Sequence, residues 1–178
     1  NAYLTSEIHG YYHQLYTGYG NPENPVFLNI LKNTFNSCPI KVLIAAKSSV
    51  ERILNEDIPL IISNNNITDC VLMSVPRSKK EDCYESTQLF FRDAVSRSAN
   101  NIGIIDGTRL IKRVEDTFTT HFYNAKPMSG YENNGDMPYP GITQDTCVIN
   151  RNVVAGKHII LIDDIYTRTV NVDEDCIQ

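Results

Sequence analysis

Along this chain, apolar runs of strand length alternate with apolar stripes at helical spacing, and that alternation predicts an α/β class before any chemistry is considered. Val26, Phe27, Ile30, Leu31 and Phe35 recur one face apart behind Asn24-Pro25, which predicts a core-facing helix with proline at its start. Residues 40–46 read as a short apolar strand, followed by a helix capped by Ser48 or Ser49 and carrying Val50, Ile53 and Leu54. Residues 69–75 read as a buried strand stopped by Pro76, and residues 84–99 as a helix with Leu89, Phe90, Phe91, Ala94 and Val95 inward. A further short strand is expected over 102–105, closed by a turn at Asp106-Gly107 with Thr108 capping the next segment. After residues 152–156 comes His158-Ile-Ile-Leu-Ile162, the clearest strand of all, which runs directly into Asp163-Asp164.

Between these elements, residues 123–146 hold Gly130, Gly135, Gly141, Pro127, Pro138 and Pro140 without periodicity. Loops of that length in a compact domain are uncommon and usually serve as lids or binding loops, so a lid-like loop is expected there. The expected architecture is a single domain over 1–178, with a mostly parallel twisted sheet flanked by helices. Residues 1–66 would form a helical N-terminal arm and residues 67–178 the ligand-binding core. His9 and His13 would share a face if the first stretch is helical, but Gly10 stands where a metalloprotease-type helix needs Glu, so packing or surface roles are expected.

Composition narrows the function. Hydrophobic residues make up 42% and charged residues 21% of 178, which supports an ordinary core and argues against disorder. With 16 Lys+Arg against 21 Asp+Glu the chain is acidic, so general nucleic-acid binding is not expected and an anionic ligand must be held by a local site. No run approaches the ~18 apolar residues of a membrane span, and the N-terminal stretch lacks a secretory apolar region, so no membrane association and a cytoplasmic location are expected. The five cysteines are odd in number and contain no C-x-x-C pair, which predicts reduced thiols rather than a zinc site.

The candidate chemistry lies where the last strand ends. Open α/β sheets bind ligands outside the carboxyl ends of their strands. There Asp163 and Asp164 can accept hydrogen bonds from ligand hydroxyls, while Thr167, Thr169, Asn171 and the following helix start could cradle a phosphate, with Arg168 adding a bidentate contact.

The run HIILIDDIYTRTVN resembles the phosphoribosyl-diphosphate (PRPP) motif of type I phosphoribosyltransferases, with four apolar residues, two acids, a Thr-rich loop and a helix in that order. Its layout is most similar to the ComF-type, amidophosphoribosyltransferase-like branch, in which a Val-Pro turn ends an earlier strand, as Ser74-Val75-Pro76-Arg77-Ser78-Lys79 does here. The likeness spans residues 69–178 and is most specific over residues 158–178. It implies a type I phosphoribosyltransferase-like fold and a cytoplasmic glycosyltransferase of nucleotide metabolism. Asp163 and Asp164 would then hold the ribose hydroxyls as the catalytic pair; Thr167, Arg168, Thr169 and Asn171 would surround the 5′-phosphate; Arg77, Ser78 and Lys79 would face the diphosphate; and Tyr166 and Pro76 would complete the PRPP-binding set. Mg²⁺ is the implied cofactor, held through PRPP and water with no direct protein ligand, and the partners are PRPP and a nitrogenous acceptor. Family members commonly have Thr-Thr-Gly where this chain has Thr167-Arg168-Thr169, which keeps a second reading open: a non-catalytic PRPP- or nucleotide-binding regulatory module. A homodimer is the base-rate expectation for assembly.

Overall fold

Helix α1 (Val26–Lys32) begins directly after Pro25, as the stripe predicts, but ends before Phe35 because Asn33 turns left-handed at φ 35°. The computed structural model describes residues 9–17, 20–119, 135 and 142–166. Helix α2 (Ile40–Asn64) then runs for 25 residues, so the strand expected over 40–46 is its first two turns. A short apolar run cannot be assigned by period alone. Here the stripe continues: Leu43, Ala46, Val50, Leu54 and Ile58 fall on one buried face, and the helical reading wins across Ser48-Ser49. Ser49 caps nothing; its hydroxyl donates back to the Ala45 carbonyl at 3.1 Å, a bond internal to the helix. Pro59 lies inside α2 without ending it.

Strand β1 (Cys70–Ser74) is buried along its whole length, as expected of a central parallel strand covered on both faces. A 3-10 turn at Ser86–Leu89 leads into helix α3 (Phe90–Ile102), with the Glu85 amide donating to the Gln88 side chain at 3.0 Å. Gly103, at φ 80°, ends α3, so Ile102 is helical and the next strand, β2, is only Ile105–Asp106. The strand expected at 102–105 is thus displaced toward the turn. At that turn the Asp106 carboxylate accepts from the Thr108 amide and hydroxyl at 2.9 and 2.7 Å. Burial acts to raise its pKa, but hydrogen bonds from Ser96 and Thr108 outweigh this and hold the carboxyl below its usual range.

Two short strands that the sequence pattern did not suggest come next: β3 (Ile111–Arg113) pairs antiparallel with β4 (Cys147–Ile149). The short helix α4 (Arg151–Val154) precedes β5 (His158–Ile162), which lies where expected. Most of the lid-like loop, residues 123–134 and 136–141, lies outside the described residues. Its end is a tight turn, with the Cys147 amide donating to the Thr143 carbonyl at 2.8 Å.

The main sheet is parallel and ordered β2-β1-β5, so the protein is α/β with a three-stranded parallel sheet flanked by helices among the described residues. Its core joins Leu72 of β1 to Ala94, Val95 and Ala99 of α3 and to Leu31, Ala46, Val50, Leu54 and Ile58 of α1 and α2. The helices expected as an N-terminal arm therefore share one core with the sheet. Residues 9–17 are not helical; His13 Nδ1 sits 2.8 Å from the Asp57 carboxylate and Tyr11 donates to Asn65 at 2.8 Å, tying this stretch to α2 by polar contacts. Among the described residues no helix is long and apolar enough to cross a membrane.

Gly107 joins β2 to the segment that leads into β3, and its amide donates to the Leu72 carbonyl at 2.8 Å. A Cβ there would stand 2.4 Å from Val71 Cγ1 and 2.7 Å from Met73 Cγ. Gly107→Ala is therefore expected to destabilise the fold by about 1–3 kcal/mol through overpacking against the central strand. Denaturant unfolding would read this as a lower midpoint, and an unchanged midpoint would show that the approach relaxes freely.

Candidate functional site

The two loops singled out from the sequence leave neighbouring strands on the same edge. β1 and β5 run parallel with Ser74 opposite Ile162, and the ladder continues one step further, the Val75 amide donating to the Ile162 carbonyl at 3.0 Å. Pro76 then breaks β1 just as Asp163 breaks β5, so both loops start about one strand spacing apart, ~4.8 Å. The chain passes from β1 to β2 on one side and reaches β5 on the other. This reversal of direction puts a topological switch point between β1 and β5, the place where open α/β sheets bind ligands.

At the β5 end each acid turns the chain by accepting from the next amide: Asp163 Oδ1 from Asp164 N at 2.8 Å, and Asp164 Oδ1 from Ile165 N at 2.9 Å. The second oxygen of Asp164 lies 3.6 Å from Lys32 Nζ, at the end of α1. Tyr166 is 55% exposed beside them. Thr167, Arg168, Thr169 and Asn171, the expected phosphate loop, lie outside the described residues.

At the β1 end the expected diphosphate-facing residues are held by the protein itself. The Arg77 guanidinium donates to the carbonyls of Gln88 and Lys32 at 2.8 and 2.9 Å and stacks 4.5 Å from the Tyr84 ring. The Lys32 carbonyl is at the carboxyl end of α1, where a cation is favoured by unpaired carbonyls and the helix dipole. Ser78 pairs with the Thr119 hydroxyl at 2.7 Å, and its carbonyl accepts from Thr117 N at 2.8 Å. Lys79 Nζ donates to the Thr117 carbonyl at 2.8 Å, and burial pushes its pKa down, against the opposing pull of Asp116.

Sequence reasoning missed the residues that brace this turn. Arg113, which follows Arg109 and Lys112 in one basic run of the sequence, is 6% exposed and donates from Nε to the Arg77 carbonyl at 2.6 Å. Thr117 is 2% exposed. The only sequence signal for Lys32 was its place as the last-turn cation of a predicted helix. Its pair with Asp164 is about one-third exposed on each side and is worth ~0–1 kcal/mol at such sites. Lys32→Met is therefore expected to change unfolding free energy by no more than about 1 kcal/mol in denaturant titrations. A loss of several kcal/mol would make the Asp164 contact a structural pair rather than a site.

Among the described residues no group of three or more His, Cys, Asp or Glu side chains is placed to hold a metal ion. The acid pair at the strand end is left to accept from ligand hydroxyls, and a hard divalent ion would be held there through ligand and water oxygens. The class defined by fold and edge is thus an α/β protein with acids and a basic turn at the switch point of a parallel sheet. Comparison with known proteins found no family model, no curated protein and no solved structure that matches the chain.

Proposed function

We propose that the protein is a type I phosphoribosyltransferase-like enzyme that binds Mg-PRPP and transfers its phosphoribosyl group to a nitrogenous acceptor. The observation that supports this most is the adjacency of the Asp163-Asp164 and Pro76–Lys79 loops at the carboxyl edge, where the ladder ends with Val75 on Ile162. In this reading the two carboxylates accept hydrogen bonds from the 2′ and 3′ hydroxyls of the ribose. The C1–oxygen bond to diphosphate breaks, a C1–nitrogen bond to the acceptor forms, and diphosphate leaves with the electron pair. Negative charge beside the sugar favours the oxocarbenium-like transition state, and holding both reactants in line supplies much of the rate. Mg²⁺ bound with the diphosphate would neutralise the charge of the leaving group. Lys32 Nζ, 3.6 Å from the Asp164 carboxylate, places a cation beside the acid pair.

The engagement of Arg77 and Lys79 with backbone carbonyls favours the second reading, a PRPP- or nucleotide-binding regulatory module without turnover. Calorimetric titration of PRPP with and without Mg²⁺ tests what both readings share. Magnesium-dependent binding supports them, and absence of binding by the folded protein overturns them. Release of diphosphate on adding nitrogenous bases then separates enzyme from module.

A further inference from the structure

Apart from the acid pair, an open cleft of about 880 Å³ lies between the segment after β1 and the β2–β3 connection. Its lining includes neither the acid pair nor Arg77, Ser78 or Lys79. Five of its residues are cationic and three are acidic, on a chain whose net charge is −5, so the local sign is reversed. A local excess of cationic over acidic side chains favours an anionic ligand. Of the acids, Asp93 is turned to Lys47 at 4.0 Å and Asp82 lies 3.8 Å from the Cys83 thiol.

The third acid, Glu81, is the informative one. Arg92 on α3 and Arg109 beyond β2 converge on its carboxylate: Arg92 Nη1 meets Oε2 at 2.8 Å, Arg92 Nη2 meets Oε1 at 3.1 Å, and Arg109 Nη1 meets Oε1 at 2.8 Å. Two guanidinium groups from different elements thus form a fork that already grips an oxyanion, the geometry that selects carboxylate and phosphate. Arg92 is only 18% exposed, so its half of the fork is fixed. Hydrogen bonds from Arg92, joined by Arg109, hold the Glu81 carboxyl below its usual range despite partial burial. Lys80 and Lys112 line the same cleft and make no ion pair among the described residues. Tyr84 and Leu89 supply an aromatic and apolar wall, the Tyr84 ring being held in place by Arg77.

We propose that this cleft is a second binding site, for a ligand carrying a carboxylate or phosphate on a planar apolar body, and that Glu81 is the internal occupant such a ligand displaces from Arg92 and Arg109. The volume falls within the ~300–1,000 Å³ of small-molecule sites. The proposal stands independently of PRPP binding at the acid pair. It is tested by calorimetry of the wild type, Glu81→Gln, Arg109→Gln and the double variant at low salt. The probes are adenosine monophosphate, benzoate and inorganic phosphate, with thermal melts confirming the fold. Glu81→Gln is expected to bind one of the organic anions about tenfold more tightly than wild type, and adding Arg109→Gln to abolish that gain. Preference for the nucleotide identifies a phosphate ligand, and preference for benzoate a carboxylate. A folded Glu81→Gln with no tighter binding of any probe, or a gain that survives loss of Arg109, overturns the proposal. Should Glu81→Gln fail to fold, Arg109→Gln alone decides: its side chain is 68% exposed, and unchanged affinity in that variant overturns the proposal as well.

Discussion

Asp163→Asn/Asp164→Asn is expected to bind Mg-PRPP at least a hundredfold more weakly than the wild type while melting at nearly the same temperature. The contrast arises from the different tasks of the carboxylate oxygens. In each acid Oδ1 accepts the next backbone amide, and the carbonyl oxygen of asparagine can accept the same bond, so the turn after β5 is kept. What is lost is the charge and, in each residue, the second acceptor oxygen, which becomes a donor NH₂. A hydrogen bond to a charged group contributes ~1.5–3 kcal/mol, so two such bonds to sugar hydroxyls, taken at the low end because the site is open, sum to about 3 kcal/mol, or roughly a hundredfold in affinity. Loss of the weak Lys32 pair at 3.6 Å should cost little stability. Calorimetric titration with parallel thermal melts checks both halves. Equal affinity in variant and wild type would remove the acid pair from the ligand site and with it the proposed chemistry.

Strands β1 and β5 were legible because each is a short apolar run cut off abruptly, by Pro76 and by Asp163; β1 is buried throughout, as a central parallel strand requires, while Ile159 and Leu161 of β5 stay exposed among the described residues. Their adjacency was legible only through resemblance, since pairing partners far apart in sequence leave no periodic trace. The first turns of α2 were misread because Val42, Leu43 and Ile44 suit either element. The decision rests on Val50, Leu54 and Ile58 further along, which extend the same buried face. The β3–β4 hairpin escaped because its strands are three residues each and separated by a long segment. Arginines were the hardest to read. A guanidinium is written identically whether it reaches into water, as Arg109 largely does, or is buried against a carbonyl, as Arg113 is. Composition places both in one basic cluster; only the tertiary position of the Arg77 carbonyl separates them.

That distinction becomes measurable at Arg77 itself. Arg77→Met is expected to lower the melting temperature by roughly 5–15 °C in the absence of any ligand, because the side chain is a strut joining three pieces of the fold. Its two donors hold the Lys32 carbonyl at the end of α1 and the Gln88 carbonyl before α3, while its flat face covers Tyr84. Methionine keeps most of the aliphatic stem but leaves both half-buried carbonyls without these donors, at a combined cost of about 2–4 kcal/mol. For a chain of this size each kcal/mol corresponds to ~2–4 °C. Arg77→Lys should recover little of the loss, since one ammonium cannot span two carbonyls and stack on the ring at once. The opposite pattern, an unchanged melt with sharply weakened PRPP binding, would show that Arg77 leaves its carbonyls to grip the diphosphate. The turn after β1 would then be a ligand loop whose resting contacts are exchanged on binding, and the acid pair would face a cation from β1 as well as from α1.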